Sequence, residues 1–329
     1  MKHMEFKELF QFKIGLVLSG GGAKGAYQIG VFKALKELEL YSLVTAVSGT
    51  SIGALNGALF LMGDMDLWFR TWQDANFENF FFTEETREER QQTNFLNGEN
   101  SLRNSLEKLE NSWDNSGGVK DFLLKQNISF FSQKGLSNLI DRHLDLQMVR
   151  KSSVSFHACA YNIDRLEPEY FHACDLDEES LKSVLMASAS IPFIYEPVKI
   201  GHNRYSDGGI KNPLYQKENV DKVPIKPVCD SDCDILIVVY MNHGDTIDFT
   251  GCMDKKLIEI YPSLPLEDIK GTGSFDFSRS SLGERIEMGY HDAMFILAPM
   301  MVKWFQGKNA DKLFDEHHRY NSWLRKKFI

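Results

Sequence analysis

The stretch that most narrows the choice of fold is residues 43–62, LVTAVSGTSIGALNGALFLM. It reads as a buried strand from Leu43 to Val47, a sharp turn carrying Ser51, and a helix running on from Ile52. Gly49-Thr50-Ser51-Ile52-Gly53 fits the G-x-S-x-G elbow, in which the turn lifts a serine hydroxyl off the sheet edge and sets it at a helix N-terminus. Gly49 and Gly53 suit a close strand–helix approach that a larger side chain would block. The helix start offers free N–H groups and positive dipole where negative charge would develop on an acyl oxygen. The same string also arises by chance in many proteins. A membrane span is a further reading, because the stretch has roughly the 20 residues that a bilayer core needs and Gly49, Gly53 and Gly57 form a G-x-x-x-G repeat. Against a span stand the polar load of Thr45, Ser48, Thr50, Ser51 and Asn56 and the lack of a basic flank.

An upstream unit has the same form. Lys13 to Leu18, KIGLVL, is a short apolar run fit for a central parallel strand. It leads into Ser19-Gly20-Gly21-Gly22-Ala23-Lys24-Gly25, and then AYQIGVFKALKELEL puts Ile29, Phe32, Leu35 and Leu38 on one helix face. Two strand–loop–helix units in succession predict a right-handed α/β layer with a largely parallel sheet. The glycine loop admits two chemistries. Gly20, Gly22 and Gly25 satisfy the dinucleotide fingerprint G-x-G-x-x-G, with Glu37 and Glu39 near the place of a ribose-binding acid. It is not a Walker A loop, since Gly25 follows Lys24. Alternatively, successive glycines let backbone N–H groups converge on an oxyanion without interference from Cβ atoms. The next unit favours the second reading. An acyl-transfer site needs both the loop and Ser51, whereas a dinucleotide domain needs no elbow.

Length alone suggests about two domains, although α/β folds often run this long as one. The expected arrangement is one domain, with a core near 13–62 and 150–243, a cap-like insertion at 63–149 and a helical extension at 244–329 packed on the core. A net charge of −9 argues against a nucleic-acid footprint and against broad attraction to anionic membranes, though not against a local apolar contact. The five cysteines (159, 174, 229, 233 and 252) are odd in number and scattered, so no disulfide framework is expected. Cys229 and Cys233 read as plain thiols, because no second close pair completes a metal site. The start, MKHMEFKELFQFK, has no apolar core of a signal peptide. The expectation is a cytoplasmic protein with room for peripheral contact at the inner membrane surface.

Leu67 to Phe82 is dense in aromatics, with Trp68, Phe69, Trp72 and the FENFFF cluster. It is read either as an inserted cap with its own small core, followed by a loop around 84–117, or as an apolar lip for an acyl chain or membrane. Helical periodicity returns over 119–149, with Phe122, Leu123, Leu136, Leu139, Ile140 and Leu144 as core candidates. His143 among them reads as a surface or packed residue. VSFHACAYNI from Val154 and EPEYFHA predict a hairpin in which His157 and His172 face each other for structural reasons. A helix over Glu179–Ser190 is closed by Ile191-Pro192. Asp207-Gly208-Gly209 is either a simple turn or an acid at a strand end that meets Ser51. DILIVVYM, 234–241, is another buried parallel strand. Residues 244–283 look loop-rich, a helix spans Glu284–Trp304 around Pro299, and WLRKKFI closes a final helix.

GGGAKG at 20–25, GTSIG at 49–53 and DGG at 207–209 stand in one order, and ASASIPFIYEPV precedes the last. Together they resemble the patatin-like phospholipase family of lipid acyl hydrolases, over roughly 13–62 and 180–213. The resemblance implies a three-layer α/β/α fold with a mostly parallel sheet, and phospholipid or other lipid ester substrates. It also implies a Ser–Asp dyad without histidine, needing neither metal nor cofactor. Ser51 would be the nucleophile and Asp207 its base. Gly20, Gly21, Gly22 and Gly25 match the family's oxyanion-hole motif, and Lys24 stands where many members have arginine, as an anion contact. Other readings are a Ser-His-Asp esterase using His243 or His291, a nucleotide-binding or interaction module with a silent Ser51, and a lipase switched by a partner or ligand.

Overall fold

A computed structural model describes residues 12–76, 133–192, 194–211, 219–267, 273–306, 308 and 311–329. The FENFFF cluster, the 84–117 segment, Phe122, Leu123 and the chain before Phe12 lie outside the described residues. In chain order the elements are β1 (Ile14–Leu18), α1 (Ala26–Glu37), β2 (Val44–Thr50), α2 (Ile52–Leu61), α3 (Met65–Asp74), α4 (Lys134–His143) and α5 (Leu146–Arg150). Then follow β3 (Ser155–Asn162), β4 (Glu167–His172), α6 (Glu178–Ser188), β5 (Val198–Ile200) and β6 (Asn203–Asp207). The chain continues through α7 (Lys226–Cys229), β7 (Ile235–Val239), β8 (Lys256–Ile260), α8 (Arg279–Phe305) and α9 (Asp311–Phe328).

The strands form one sheet in the order β5-β6-β3-β2-β1-β7-β8, with β4 also paired to β3. β8, β7, β1, β2 and β3 run parallel to their neighbours, while β4, β5 and β6 pair antiparallel. This is the mixed, mostly parallel α/β/α arrangement expected. The continuous apolar runs of β1 and β7 divide between two faces. Leu16, Leu18, Ile235, Ile237 and Val239 join α1, α2 and α8 in one cluster. Val17, Leu236, Val238 and Tyr240 meet Val228 of α7 and Leu324 of α9 in the other. Burial on both faces is what an interior parallel strand requires, and it explains why no polar alternation shows in the sequence.

Residues 43–62 are therefore a strand and a buried helix rather than a span, and no helix among the described residues is long and apolar enough to cross a membrane. β2 runs to Thr50, beyond the predicted end at Val47, because Ser48, Gly49 and Thr50 pair with His157, Ala158 and Cys159. The described ends of 63–149 do not form a core of their own. Trp68, Trp72, Leu136 and Ile140 belong to the main cluster, and Trp68 packs edge-on against Phe32 and stacks on Phe60. Its indole N–H donates to the Leu59 carbonyl at 2.8 Å.

Two further differences appear downstream. Within 244–283, KLIEI forms β8, parallel to β7. Glu259 makes this strand look polar in sequence, but its carboxylate accepts from Tyr240 at 2.9 Å and its carbonyl accepts from Asn321 of α9. Cys229 is not a plain thiol. It is disulfide-bonded to Cys252, with Cα atoms 5.2 Å apart across α7 and the Thr250–Cys252 turn, and Cys233 is free and buried. That pairing spans a sequence separation of 23, which chain spacing alone does not reveal.

α8 runs unbroken through Pro299 and lies directly on α1. A Cβ on Gly289 would stand 2.0 Å from the Tyr27 carbonyl oxygen, and one on Gly30 would stand 1.9 Å from that of Ile286. The two backbones touch, so these helices cannot accept a methyl group without moving apart. By contrast, Gly283 on the same helix has nothing within 4 Å of its Cβ position. Gly289→Ala should lower unfolding free energy by about 1–3 kcal/mol, as overpacking does. Gly283→Ala should raise it by up to about 1 kcal/mol through helix propensity. Urea unfolding midpoints at unchanged slope would measure both.

Candidate active site

Ser51 is placed by an abrupt change of backbone direction. Its φ of 57° and ψ of −125° lie outside strand and helix conformations. Such a conformation costs on the order of 1–3 kcal/mol and persists only where the surroundings hold it. Here three contacts hold it. A Cβ on Gly49 would lie 2.2 Å from the Gly53 carbonyl oxygen, and one on Gly53 would lie 2.3 Å from that of Leu18, so strand and helix meet backbone to backbone. The Ser51 N–H donates to Ser188 Oγ at 2.8 Å, and Ser188 Oγ donates in turn to the Cys159 carbonyl at 2.6 Å. Ser188, at the end of α6, was not singled out from sequence; its signal is its place in ASASIP, just before the chain returns to the sheet.

Asp207 reaches Ser51 through β3. Thr50 is opposite Cys159 and Asp207 is opposite Ala160, on successive positions of that strand. β4 covers the other edge of β3 over 157–162. β2 and β6 therefore share one edge, end to end, which sets the Ser51 hydroxyl close enough to the Asp207 carboxylate to favour its charged form. Asp207 is wholly buried and its N–H donates to the Ser190 carbonyl at 2.9 Å. Its Oδ1 accepts from the Gly209 N–H at 2.8 Å, which gives the second residue of the DGG string a specific task. Burial pushes the Asp207 carboxyl up to about 6, against the opposing pull of Ser51, the Gly209 N–H and the Lys222 ammonium. Lys222 is a second residue the sequence reading missed. Its carbonyl accepts from Gly20 N–H at 3.0 Å, its backbone lies against Gly209, and its ammonium bonds Asp245 at 3.0 Å.

The glycine loop divides its labour. The Gly20 N–H is committed to Lys222, so Gly20 braces the loop instead of pointing its N–H at a ligand. Gly25 packs against Ile52 and Trp72, and its carbonyl accepts from Asn56 Nδ2 at 3.0 Å. Gly21 and Gly22 lie between these anchors. Gly22 has φ +57° and its Cβ position is filled by the Ser274 carbonyl oxygen, so only glycine fits. Lys24 is not placed as a free anion contact: its buried ammonium donates to Asn242 Oδ1 and Glu267 Oε1, each at 2.8 Å. Glu37, the acid that a dinucleotide would need, is instead bonded by Lys33 and by Tyr290 of α8.

The histidine alternatives lie elsewhere. His243 Nε2 is bonded to the Pro262 carbonyl at 2.7 Å and its ring packs on Phe328, while His291 is an exposed residue of α8 beside Glu287. His143 pairs with Asp74 at 3.1 Å, and His157 stacks on His172 with centroids 4.5 Å apart, as the hairpin reading expected.

Over Ser51 opens an apolar cavity whose walls include Gly22, Leu55, Ala189, Tyr195, Phe275 and Phe277. Ile52, Leu55 and Leu136 also line a second apolar cavity, which continues along α2 to Leu59, Ile140 and Leu144.

The chain is similar to several known proteins. A segment of 58 residues is 48% identical to the lysophospholipase nte1 of Aspergillus terreus, covering 18% of this chain and 4% of that protein. A segment of 62 residues is 48% identical to the neuropathy target esterase sws of Drosophila melanogaster, again covering 18% of this chain and 4% of the relative. The chain thus spans a small part of the relatives it matches. Among solved structures, VipD from Legionella pneumophila is 16% identical with a TM-score of 0.41, over 94% of this chain and 67% of that one. The family profile described as Patatin-like phospholipase matches residues 16–216, which takes in the glycine loop, the elbow and the Asp207 turn. The chain belongs to the patatin-like phospholipase family.

Proposed function

We propose that this chain is a serine lipid acyl hydrolase that cleaves carboxylic esters, of phospholipase A or lysophospholipase type, with a Ser51–Asp207 dyad. The observation that carries the proposal is the placement of Ser51, held in a strained turn, beside a fully buried carboxylate whose charged form it favours. Asp207 accepts the Ser51 proton as Oγ attacks the ester carbonyl. The N–H groups of Gly21, Gly22 and Ile52 take up the oxyanion, with the dipole of α2 behind them. Collapse expels the alcohol, which takes the proton from Asp207, and leaves an acyl-serine; water then attacks it as Asp207 accepts a proton again, and the second collapse frees the acid while that proton returns to Ser51 Oγ. The two apolar cavities beside Ser51 suit an acyl chain lying along α2. Lipid esters therefore fit better than small polar ones. The hydrogen bond of His243 to Pro262 and the exposure of His291 favour the dyad over a histidine-based triad.

An unperturbed aspartate is a weak base, and burial of Asp207 raises its basicity toward neutral pH. Several outcomes test the reading. Ser51→Ala and Asp207→Asn should each lower turnover of phospholipid and neutral lipid esters by at least about 10³-fold. A fluorophosphonate should label Ser51. His243→Gln and His291→Gln should retain wild-type turnover; loss of activity in either would restore the triad. With Asp207 titrating at about 6 in the free protein, kcat/KM should fall as pH drops below that value and level off above it.

The same burial has a cost in stability. A raised folded-state pKa contributes favourably below the unfolded value of 3.8, and that contribution is lost as pH rises through about 6. At pH 8 Asp207→Asn should therefore be more stable than wild type, by on the order of 2–3 kcal/mol, and the gap should close toward pH 4. Chemical denaturation of both proteins across that range measures it.

A further inference from the structure

We propose that the turn between β4 and α6 is a binding site for a late first-row divalent cation, Zn²⁺ above all, held by His172, Cys174 and Asp175. The three are adjacent in sequence as HACD, where β4 ends at His172 and a 3₁₀ turn, Ala173–Asp175, begins. Their ligand atoms already converge. Cys174 Sγ is 3.2 Å from His172 Nδ1 and 3.5 Å from Nε2, so it sits over the ring beside that nitrogen; Asp175 Oδ2 is 3.3 Å from Nδ1, and Asp175 Oδ1 is 3.5 Å from the sulfur. Tetrahedral zinc with bonds of about 2.0–2.3 Å separates its nitrogen, oxygen and sulfur ligands by roughly 3.4–3.6 Å. The donors are thus within reach of one ion, which the exposed Cys174 side chain meets by turning from over the ring to the Nδ1 edge.

Neighbouring groups fix the imidazole. Ser155 Oγ lies 3.1 Å from His172 Nε2, on the adjacent strand. With that nitrogen occupied by the hydroxyl, Nδ1 is left toward the Asp175 carboxylate and free for an ion, the arrangement that outer-shell partners give metal-bound histidines. The His157 ring, stacked on His172 at 4.5 Å and 11°, restrains its plane from the other side. Charge also matches: a Cys174 thiolate and the Asp175 carboxylate together neutralise a divalent ion. Binding displaces the thiol proton to solvent, and no other bond changes. The sulfur and nitrogen donors select zinc-like ions over Mg²⁺ and Ca²⁺, which prefer all-oxygen sets. Cys174 and Asp175 are exposed, so the ion can reach the site, and a fourth position is left to water.

The site lies outside the Ser51 cavity, so its test does not depend on hydrolysis. The full-length protein, with the Cys229–Cys252 bond intact, is titrated with Co²⁺ as an optical probe, and Zn²⁺ is then added in competition. We expect one equivalent to bind, with a thiolate-to-cobalt charge-transfer band and the strong visible bands of four-coordinate cobalt, both removed by Zn²⁺. Cys174→Ser should abolish the charge-transfer band, and His172→Gln and Asp175→Asn should each weaken binding at least about tenfold. Cys233→Ser should leave the spectrum unchanged. The proposal is overturned if no stoichiometric binding occurs, or if the band survives Cys174→Ser, in which case the three side chains form only a hydrogen-bonded turn.

Discussion

One edge of β3 governs the whole arrangement. β2 pairs along it as far as Cys159, and β6 takes over at Ala160 from the opposite direction. Two strands that approach head-on along a shared edge must stop where they meet. β2 ends by turning sharply at Ser51, and β6 ends with Asp207 and two glycines. The meeting of hydroxyl and carboxylate is thus a matter of register. A slip of one residue in either pairing would turn every side chain of that strand to the other face and part the two groups. The slip is resisted by burial of β3 on both faces, with Phe156, Ala158 and Ala160 on one and Cys159 and Tyr161 on the other.

The pair carries two local penalties, and the fold answers each with specific groups. The left-handed φ of Ser51 is opposed by the backbone contact of Gly49 with Gly53 and by the bond to Ser188. The buried charge of Asp207 is opposed by the Gly209 N–H, the Ser51 hydroxyl and Lys222. Neither compensation is complete, since burial still wins over all three partners of the carboxylate. That residue of unfavourable energy leaves Asp207 readier to take up a proton than an exposed aspartate, which is the property the proposed dyad needs. Full compensation would return it to the proton affinity of an ordinary aspartate.

Much of this was legible in the residues. The strands of KIGLVL and DILIVVYM, the turn at Ser51 and the hairpin of β3 with β4 all carry local signals, because their apolar runs and glycines act over a few residues. What stayed hidden depends on distant partners. β8 reads as loop because Glu259 is satisfied only by Tyr240 and by the packing of α9. The Cys229–Cys252 bond joins segments that β7 separates. Lys24 looked like an anion contact because its partners, Asn242 and Glu267, lie more than two hundred residues away. Gly20 and Gly25 fitted an oxyanion motif by spacing, yet only Lys222 and Trp72 show that they serve the loop's own geometry.

The family profile ends at residue 216, but the surroundings of Ser51 do not. Lys222 braces the glycine loop and acts on Asp207, Ser274 fills the space above Gly22, and Phe275 and Phe277 form part of the cavity wall. The motifs fix Ser51 and Asp207, whereas residues beyond the matched region shape the volume in front of them. A buried aromatic wall beside a fixed hydroxyl sets which chain can lie there, since each methylene accommodated is worth about 0.8 kcal/mol of transfer energy. Two chains with the same loop, elbow and aspartate can therefore differ widely in the acyl groups they accept. In this chain the segment at 273–277, which the motifs do not reach, supplies that wall.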